Sequence, residues 1–475
     1  MRIINHLVID LTHGGVKIAI NLAKEGKNVL AYDLYNTLND IDAKMLNIYN
    51  VDLIQLNELA DFRGDINVIY PIHMPLDFKD IIKHNPRLNY TFQTHHEIIH
   101  DILVDWGKDL TKVEITGVKG KTSTVFMLKE ILIDENPLIL SSLGAILYEN
   151  KKKIMLKQNI SIAPANIKET IDLAYKIANP ICRIDNGIVK GENARKYNSA
   201  LFESSLGVSG IGDVGVLTNI VENYPISNGK RSASEAKKQV FNCNTVVCQK
   251  EAYDTYYSNV KHEKMNTFSL VDETSNLYLN NVSYSLNETK MNIIFRNIKT
   301  INDNIVSGEI NLTAFAPGKH NVSNVLGVIL TALSLEIPKD KIINGIENYK
   351  GIPGRTNKRQ IENITVIEEI NPGINTKAIE ESINMIDNPD DYIIAIGGDY
   401  GITCEEINEN KVSEFLDKMN CNIILTGEVG SSIQKKMSKK CQIIEDYNEV
   451  YNIALKNDKN LLFIYRSDYR KLKQR

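Results

Sequence analysis

The chain reads as an α/β protein of three domains, each built on an open sheet flanked by helices. Three observations predict this. Its 475 residues suit about three domains at roughly 150 residues each. Short runs rich in Val, Ile and Leu alternate with segments of helical apolar spacing along most of its length. The run from Val113 to Thr124 reads as an apolar strand, a Gly-Lys-Thr turn and a helix start, the local layout of a phosphate-binding loop.

The first domain is expected over residues 1–108 and to be Rossmann-like. Leu7–Asp10 is an apolar strand, Leu11–Gly15 a turn, and Val16–Gly26 a helix ending in a glycine cap. Asn28–Asp33 is the next strand and ends in an acid. That order matches the start of a doubly wound sheet. It lacks G-x-G-x-x-G, so no dinucleotide is expected here. Seven of the nine histidines fall in the first 100 residues. His13, His73, His95 and His96 follow predicted strands, where open α/β sheets bind ligands. They are candidates for a polar or anionic substrate pocket; the alternative is histidines of ordinary surface loops. No pair among these four has H-x-x-x-H spacing, so a structural zinc site is not expected.

The second domain, residues 109–352, is expected to be a central P-loop ATP-binding domain. Backbone N–H groups of the loop and the positive end of the following helix form a cradle for phosphate. Gly117, Val118, Lys119, Gly120, Lys121, Thr122 and Ser123 are the candidate ATP ligands. Lys121 would reach the outer phosphates, and the Thr122 hydroxyl would hold Mg²⁺. Two residues separate the glycines, where the standard P-loop has four. Strands follow at Pro137–Leu140, Ser199–Phe202 and Gly215–Thr218. A β-rich stretch with alternation at Leu277–Tyr284 and Met291–Phe295 comes next, then a long amphipathic helix over Asn321–Leu335. Glu203 follows a core strand and suits a hard cation; a solvated turn is the alternative.

The third domain, residues 353–475, is expected to be a second Rossmann-like sheet. Strands are predicted at Thr365–Glu368, Tyr392–Ile396, Asn422–Thr426 and Leu461–Tyr465, with helices between.

Composition sets bounds on function. A net charge of −4 argues against nucleic acid as the main partner. No apolar run approaches the roughly 20 residues of a membrane span, and the N-terminus lacks a secretory pattern. The six cysteines form no C-x-x-C pair and read as reduced, mostly buried thiols of a cytoplasmic protein.

The spelling Thr116-Gly-Val-Lys-Gly-Lys-Thr-Ser123 resembles the Mur ligase family, which activates a carboxylate as an acyl phosphate using ATP. Further segments follow in that family's order. Glu203-Ser-Ser205 resembles its Mg²⁺-binding E-x-S, and Leu217-Thr-Asn-Ile220 its T-N segment. Pro317-Gly-Lys-His-Asn321 resembles P-G-x-H-N, which implies that Asn321 hydrogen-bonds adenine. Gly351-Ile-Pro-Gly-Arg355 resembles the hinge whose Arg355 contacts the nucleotide. Ser234–Lys238 resembles the segment carrying a carbamylated lysine, at Lys237; a helix-surface lysine is the equal alternative. Two departures stand out. Glu222-Asn-Tyr224 replaces the usual Asp-His pair, and Glu368-Glu-Ile-Asn-Pro-Gly373 keeps the family's Asn-Pro but not its His.

The resemblance implies a three-domain Mur ligase architecture, ATP and Mg²⁺ as cofactors, and Lys121, Glu203 and Lys237 as catalytic. The spelling of Asp10–Gly15, Tyr32–Tyr35, Pro71–Pro75 and Thr94–His96, with Glu368–Gly373, is similar to an archaeal branch of the family. That branch closes a carbocyclic ring on a nickel tetrapyrrole precursor in methanogenesis cofactor biosynthesis. An archaeal cell-wall (pseudomurein) amino-acid ligase, acting on a nucleotide-linked peptide, is the alternative. A nucleotide-gated binding protein without ligation is a third reading.

Overall fold

The computed structural model describes residues 4–178, 181–184, 187–190, 196–353, 355–370, 374, 376–386, 388–400, 407–467 and 472. Three larger sheets organise them. The first contains β1 (Ile4–Ile9), β2 (Asn28–Tyr32), β3 (Asp52–Leu53), β4 (Asp65–Tyr70) and β5 (Asn89–Thr94). Its order is β3-β2-β1-β4-β5, and every pairing is parallel. A parallel sheet covered on both faces needs continuous apolar runs rather than alternation. Leu7, Val8 and Ile9 meet that demand, fully buried on opposite faces in two separate core clusters. The order reverses between β1 and β4. Their C-terminal ends therefore flank the crevice where doubly wound sheets bind ligands. The helix after β1 runs Val16–Lys24, and Leu11–Gly15 forms a wide turn before it.

The second sheet begins with β6 (Thr111–Thr116), β7 (Leu138–Ser141), β8 (Gly144–Glu149) and β9 (Lys152–Lys157). A separate hairpin follows, β10 (Ile181–Ile184) with β11 (Gly187–Lys190). β12 (Ser199–Glu203) and β13 (Val214–Leu217) return to the sheet, and β14 (Pro225–Ile226) pairs with β15 (Arg231–Ser232) as a short ribbon. Then come β16 (Thr245–Gln249), β17 (Met265–Ser269), β18 (Leu277–Ser283), β19 (Thr289–Lys299) and β20 (Ile305–Ala314). The order is β20-β19-β18-β17-β16-β13-β6-β12-β7-β8-β9. β6 lies inside it, with β12 and β13 parallel on its two sides. It buries one acid, Glu114, which accepts bonds from the N–H groups of Ser209 (2.8 Å), Gly210 (2.8 Å) and Gly212 (3.1 Å) and the Ser209 hydroxyl (2.6 Å). A buried carboxylate is tolerated when its oxygens are saturated in this way.

The third sheet holds β21 (Thr356–Ile361), β22 (Ile364–Ile370), β23 (Tyr392–Gly398), β24 (Asn422–Thr426), β25 (Gln442–Ile444) and β26 (Asn460–Arg466). Its order is β21-β22-β26-β23-β24-β25, parallel except for the β21–β22 hairpin. The long helix expected from Asn321 begins earlier and spans Gly318–Ser334. No described helix is long and apolar enough to cross a membrane.

The chain divides into two compact units. One comprises 1–278, 295–308 and 326–342; the other 279–294, 309–325 and 343–475.

Candidate active site

The phosphate loop joins β6 to the helix Lys121–Ile131, as the local sequence predicts. Gly117 and Gly120 both have left-handed backbone, at φ +143° and +83°. A Cβ on Gly117 would lie 2.0 Å from Thr218 Oγ1, so the loop is pressed against the end of β13. Hydrogen bonds fix that contact. Val118 N–H donates to the Asn219 carbonyl (3.0 Å) and Lys119 N–H to Asn219 Oδ1 (3.1 Å). Thr218 Oγ1 and Asn219 Nδ2 both donate to the Lys119 carbonyl, at 2.6 and 3.0 Å. Thr218 and Asn219 thus act as a clamp on the loop, a role the sequence did not disclose.

Lys121 folds back to donate to the Gly117 carbonyl (3.0 Å), and Ser123 sits half-buried in the first helical turn. The Thr122 hydroxyl lies 3.1 Å from both oxygens of Glu203 and 3.0 Å from Ser142 Oγ. Ser142 N–H also donates to Glu203, at 3.0 Å. Glu203 is buried, which removes the reading of a solvated turn. Ser142, in the turn after β7, carried no signal in the sequence.

Lys237 is not a surface residue: it is 0% exposed, at the end of the short helix Ala233–Lys237. Its Nζ donates to the Ser205 carbonyl at 2.7 Å and reaches the Tyr224 hydroxyl at 3.5 Å. Burial, then the charge of Lys121, brings its pKa down to about 7. The residues standing where an Asp-His pair was expected have other work. Asn223 Oδ1 accepts from Ser234 N–H (2.9 Å) at the start of this helix, and Tyr224 touches the lysine.

The four N-terminal histidines share one cavity of about 280 Å³, with Pro71, Ile72, Ser161–Pro164, Ser205 and Leu206. His95 and His96 are not loop residues; they open the helix His95–Leu103 and are buried. His95 Nε2 lies 3.1 Å from the Ile9 carbonyl. Neither ring nitrogen of His96 has a hydrogen-bond partner among the described residues. Burial pulls the pKa values down to about 4 for His95 and about 3 for His96, so both are neutral at pH 7. His13 and His73 are more open, and they meet at Asp10. His13 Nδ1 is 2.7 Å and His73 Nε2 3.6 Å from Asp10 Oδ2. Burial raises the Asp10 pKa, but the hydrogen bonds from His73 and His13 outweigh it and hold it near about 2.

Two expected nucleotide contacts belong to the other compact unit and are described within it. Asn321 lies in the first turn of the helix Gly318–Ser334, where its Nδ2 donates to the Pro317 carbonyl (2.7 Å). Arg355 is exposed, and its N–H donates to the Ile352 carbonyl (3.0 Å). Glu368 accepts from Arg359 Nη2 (2.6 Å) and the Tyr451 hydroxyl (2.8 Å). Glu369, on the other face of β22, is half-buried, and burial raises its pKa to about 7. Gly354 and Asn371-Pro372-Gly373 lie outside the described residues.

Known proteins are similar to this chain over most of its length. The profile of the C-terminal domain of coenzyme F430 synthetase CfbE matches residues 358–468. The chain is 28% identical over 436 residues to a coenzyme F(430) synthetase of Methanocaldococcus jannaschii, covering 90% of this chain and 91% of that one. A coenzyme F(430) synthetase of Methanosarcina acetivorans is 23% identical and covers 89% of each chain. Among solved structures, a UDP-N-acetylmuramoyl-L-alanyl-D-glutamate–2,6-diaminopimelate ligase superposes with a TM-score of 0.57 at 13% identity, over 93% of this chain and 87% of that one. MurF from Acinetobacter baumannii gives 0.55 at 14% identity, over 85% and 82%. The chain has the three-domain Mur ligase fold and is an enzyme of the ligase class that uses ATP.

Proposed function

We propose that this ATP-dependent ligase of Mur type, similar to coenzyme F(430) synthetases, is itself a coenzyme F(430) synthetase, acting in the cytoplasm on a nickel tetrapyrrole precursor. The observation that carries the reading is the match to two coenzyme F(430) synthetases along about nine-tenths of all three chains. In the reaction, a propionate oxygen takes the terminal phosphoryl group of ATP, and ADP leaves. A carbon nucleophile of the same molecule, having lost its proton, then attacks the acyl carbon. A carbon–carbon bond forms, the bond to phosphate breaks, and a six-membered carbocycle closes.

The first-unit residues have assignable parts in this. The loop 117–123 cradles the phosphates, and Lys121 neutralises the charge developing on the transferred group. Thr122 and Glu203 offer hard oxygen donors that fit Mg²⁺, which would polarise the phosphate oxygens when bound. Lys237, buried with its pKa brought down to about 7, would carry the carbamate. The cavity of His13, His73, His95 and His96 takes an edge of the macrocycle, with the unpartnered His96 ring available to one of its carboxylates. Asn321 and Arg355 would contact the nucleotide.

The decisive experiment mixes purified protein, ATP, Mg²⁺ and the nickel precursor without any amino acid. The expected result is ADP, phosphate and a product lighter by one water, all abolished by Lys121→Ala. Turnover that requires an added amino acid, and a nucleotide-linked peptide to accept it, would refute this reading and place the enzyme in cell-wall ligation.

A further inference from the structure

We propose that Asp10, His13 and His73 form a binding site for a free divalent transition-metal ion, distinct from the magnesium donors of the phosphate loop. The sequence argued against a metal here, because no two of the candidate histidines His13, His73, His95 and His96 have H-x-x-x-H spacing. The topology supplies what the spacing does not. β1 and β4 are parallel neighbours, so the residues just past their ends come together: Asp10 and His13 after β1, His73 after β4. This is the reversal point of the first sheet.

The donor atoms have the separations that a metal ion requires. Ligands about 2.0–2.1 Å from a tetrahedral ion lie roughly 3.3 Å from one another. His73 Nε2 is 3.4 Å from His13 Nδ1 and 3.6 Å from Asp10 Oδ2. The third separation, His13 Nδ1 to Asp10 Oδ2, is 2.7 Å, a hydrogen-bond length. An ion displaces the proton shared there and opens that edge by about half an ångström.

The surroundings are built as a ligand shell is built. Asp10 is fully buried, and its backbone is held at φ 71°, ψ 93°, a region costly for a residue with a side chain. Its second oxygen, Oδ1, accepts the N–H groups of Thr12 (2.9 Å) and His13 (3.3 Å), which orients Oδ2 toward the imidazoles. The segment bearing His73 is braced by Ser227 and Arg231, both donating to the Ile72 carbonyl at 3.2 Å. Two imidazoles and one carboxylate select zinc-like ions over magnesium. The three donors converge on one side of the ion. That suits a free ion, since a metal in the plane of a macrocycle accepts only one ligand per face. His13 and His73 border the 280 Å³ cavity, so the remaining coordination position takes water or a carboxylate from there.

Cobalt(II) is the probe, because its four-coordinate complexes absorb in the visible. Chelator-stripped full-length protein is titrated with Co²⁺ in excess Mg²⁺, without nucleotide or tetrapyrrole, so the result is independent of the proposed reaction. One equivalent is expected to bind with intense visible bands. His13→Ala and Asp10→Asn should weaken binding at least about tenfold. Glu203→Gln should leave the titration unchanged. His73→Cys keeps a donor at the site and should add thiolate-to-cobalt charge transfer in the near ultraviolet, which no folding defect can mimic. Absence of the bands, a titration unchanged in His13→Ala and Asp10→Asn, loss of binding in Glu203→Gln, or a His73→Cys protein without charge transfer would each overturn the proposal.

Discussion

Lys237 and the pair His95–His96 show how burial changes the chemistry of an ordinary side chain. An exposed lysine is an ammonium at neutral pH and does not react with carbon dioxide. Lys237, brought down to about 7, spends much of its time as the free amine that does. Lys237→Ala should cut ring closure by ~100-fold while leaving binding of an ATP analogue intact. A short-chain carboxylate added to the medium should restore part of the rate. Full turnover in the variant would remove the carbamate from the mechanism. For His95 and His96 the consequence is stability. Their folded pKa values lie below the unfolded value, so both states hold them neutral above about pH 6.5 and the stability they permit is complete there. As pH falls below that value the unfolded chain takes up protons that the folded chain refuses, and stability drops until about pH 4 or 3. At pH 5 this amounts to on the order of 2 kcal/mol for each ring. His96→Leu should therefore flatten the loss of melting temperature between pH 7 and pH 5 by about half of the histidine contribution; parallel curves for the two proteins would contradict it.

At the scale of elements, what could be read from the sequence was what is local. The strand Thr111–Thr116, its glycine turn and the helix from Lys121 occupy consecutive residues, so periodicity and turn chemistry exposed them directly. The clamp on that turn is not local: Thr218 and Asn219 bond to Lys119 from about a hundred residues away, through the pairing of β13 with β6. Lys237 shows the same limit. Ser234–Lys238 has the composition of an exposed helical turn, and only Ser205, 32 residues earlier, and Tyr224 reveal that it is buried. Asp10 was hidden because its partners come from two strand ends 60 residues apart. The clamp predicts its own test. Asn219→Ala removes one acceptor and one donor to the Lys119 backbone, each worth about 1 kcal/mol. Affinity for a non-hydrolysable ATP analogue should fall by about tenfold with far-ultraviolet dichroism unchanged. An unaltered dissociation constant would show that the loop holds its shape without β13.

For the whole molecule, the candidate residues fall into two sets, one in each compact unit. The loop 117–123, Glu203 and Lys237 belong to the first unit, while Asn321 and Arg355 belong to the second. Each unit has apolar clusters of its own, around Val8, Leu140 and Phe202 in one and around Ile394, Leu425 and Phe463 in the other. The proposed reaction gives Asn321 and Arg355 parts in holding the nucleotide. Arg355 is exposed, so Arg355→Ala should leave the melting temperature within about a degree of the unmodified protein's. The same substitution should weaken binding of a non-hydrolysable ATP analogue by about tenfold, the loss expected when one charged contact to a phosphate or ribose oxygen is removed. An unchanged dissociation constant would take Arg355 out of the nucleotide's contacts.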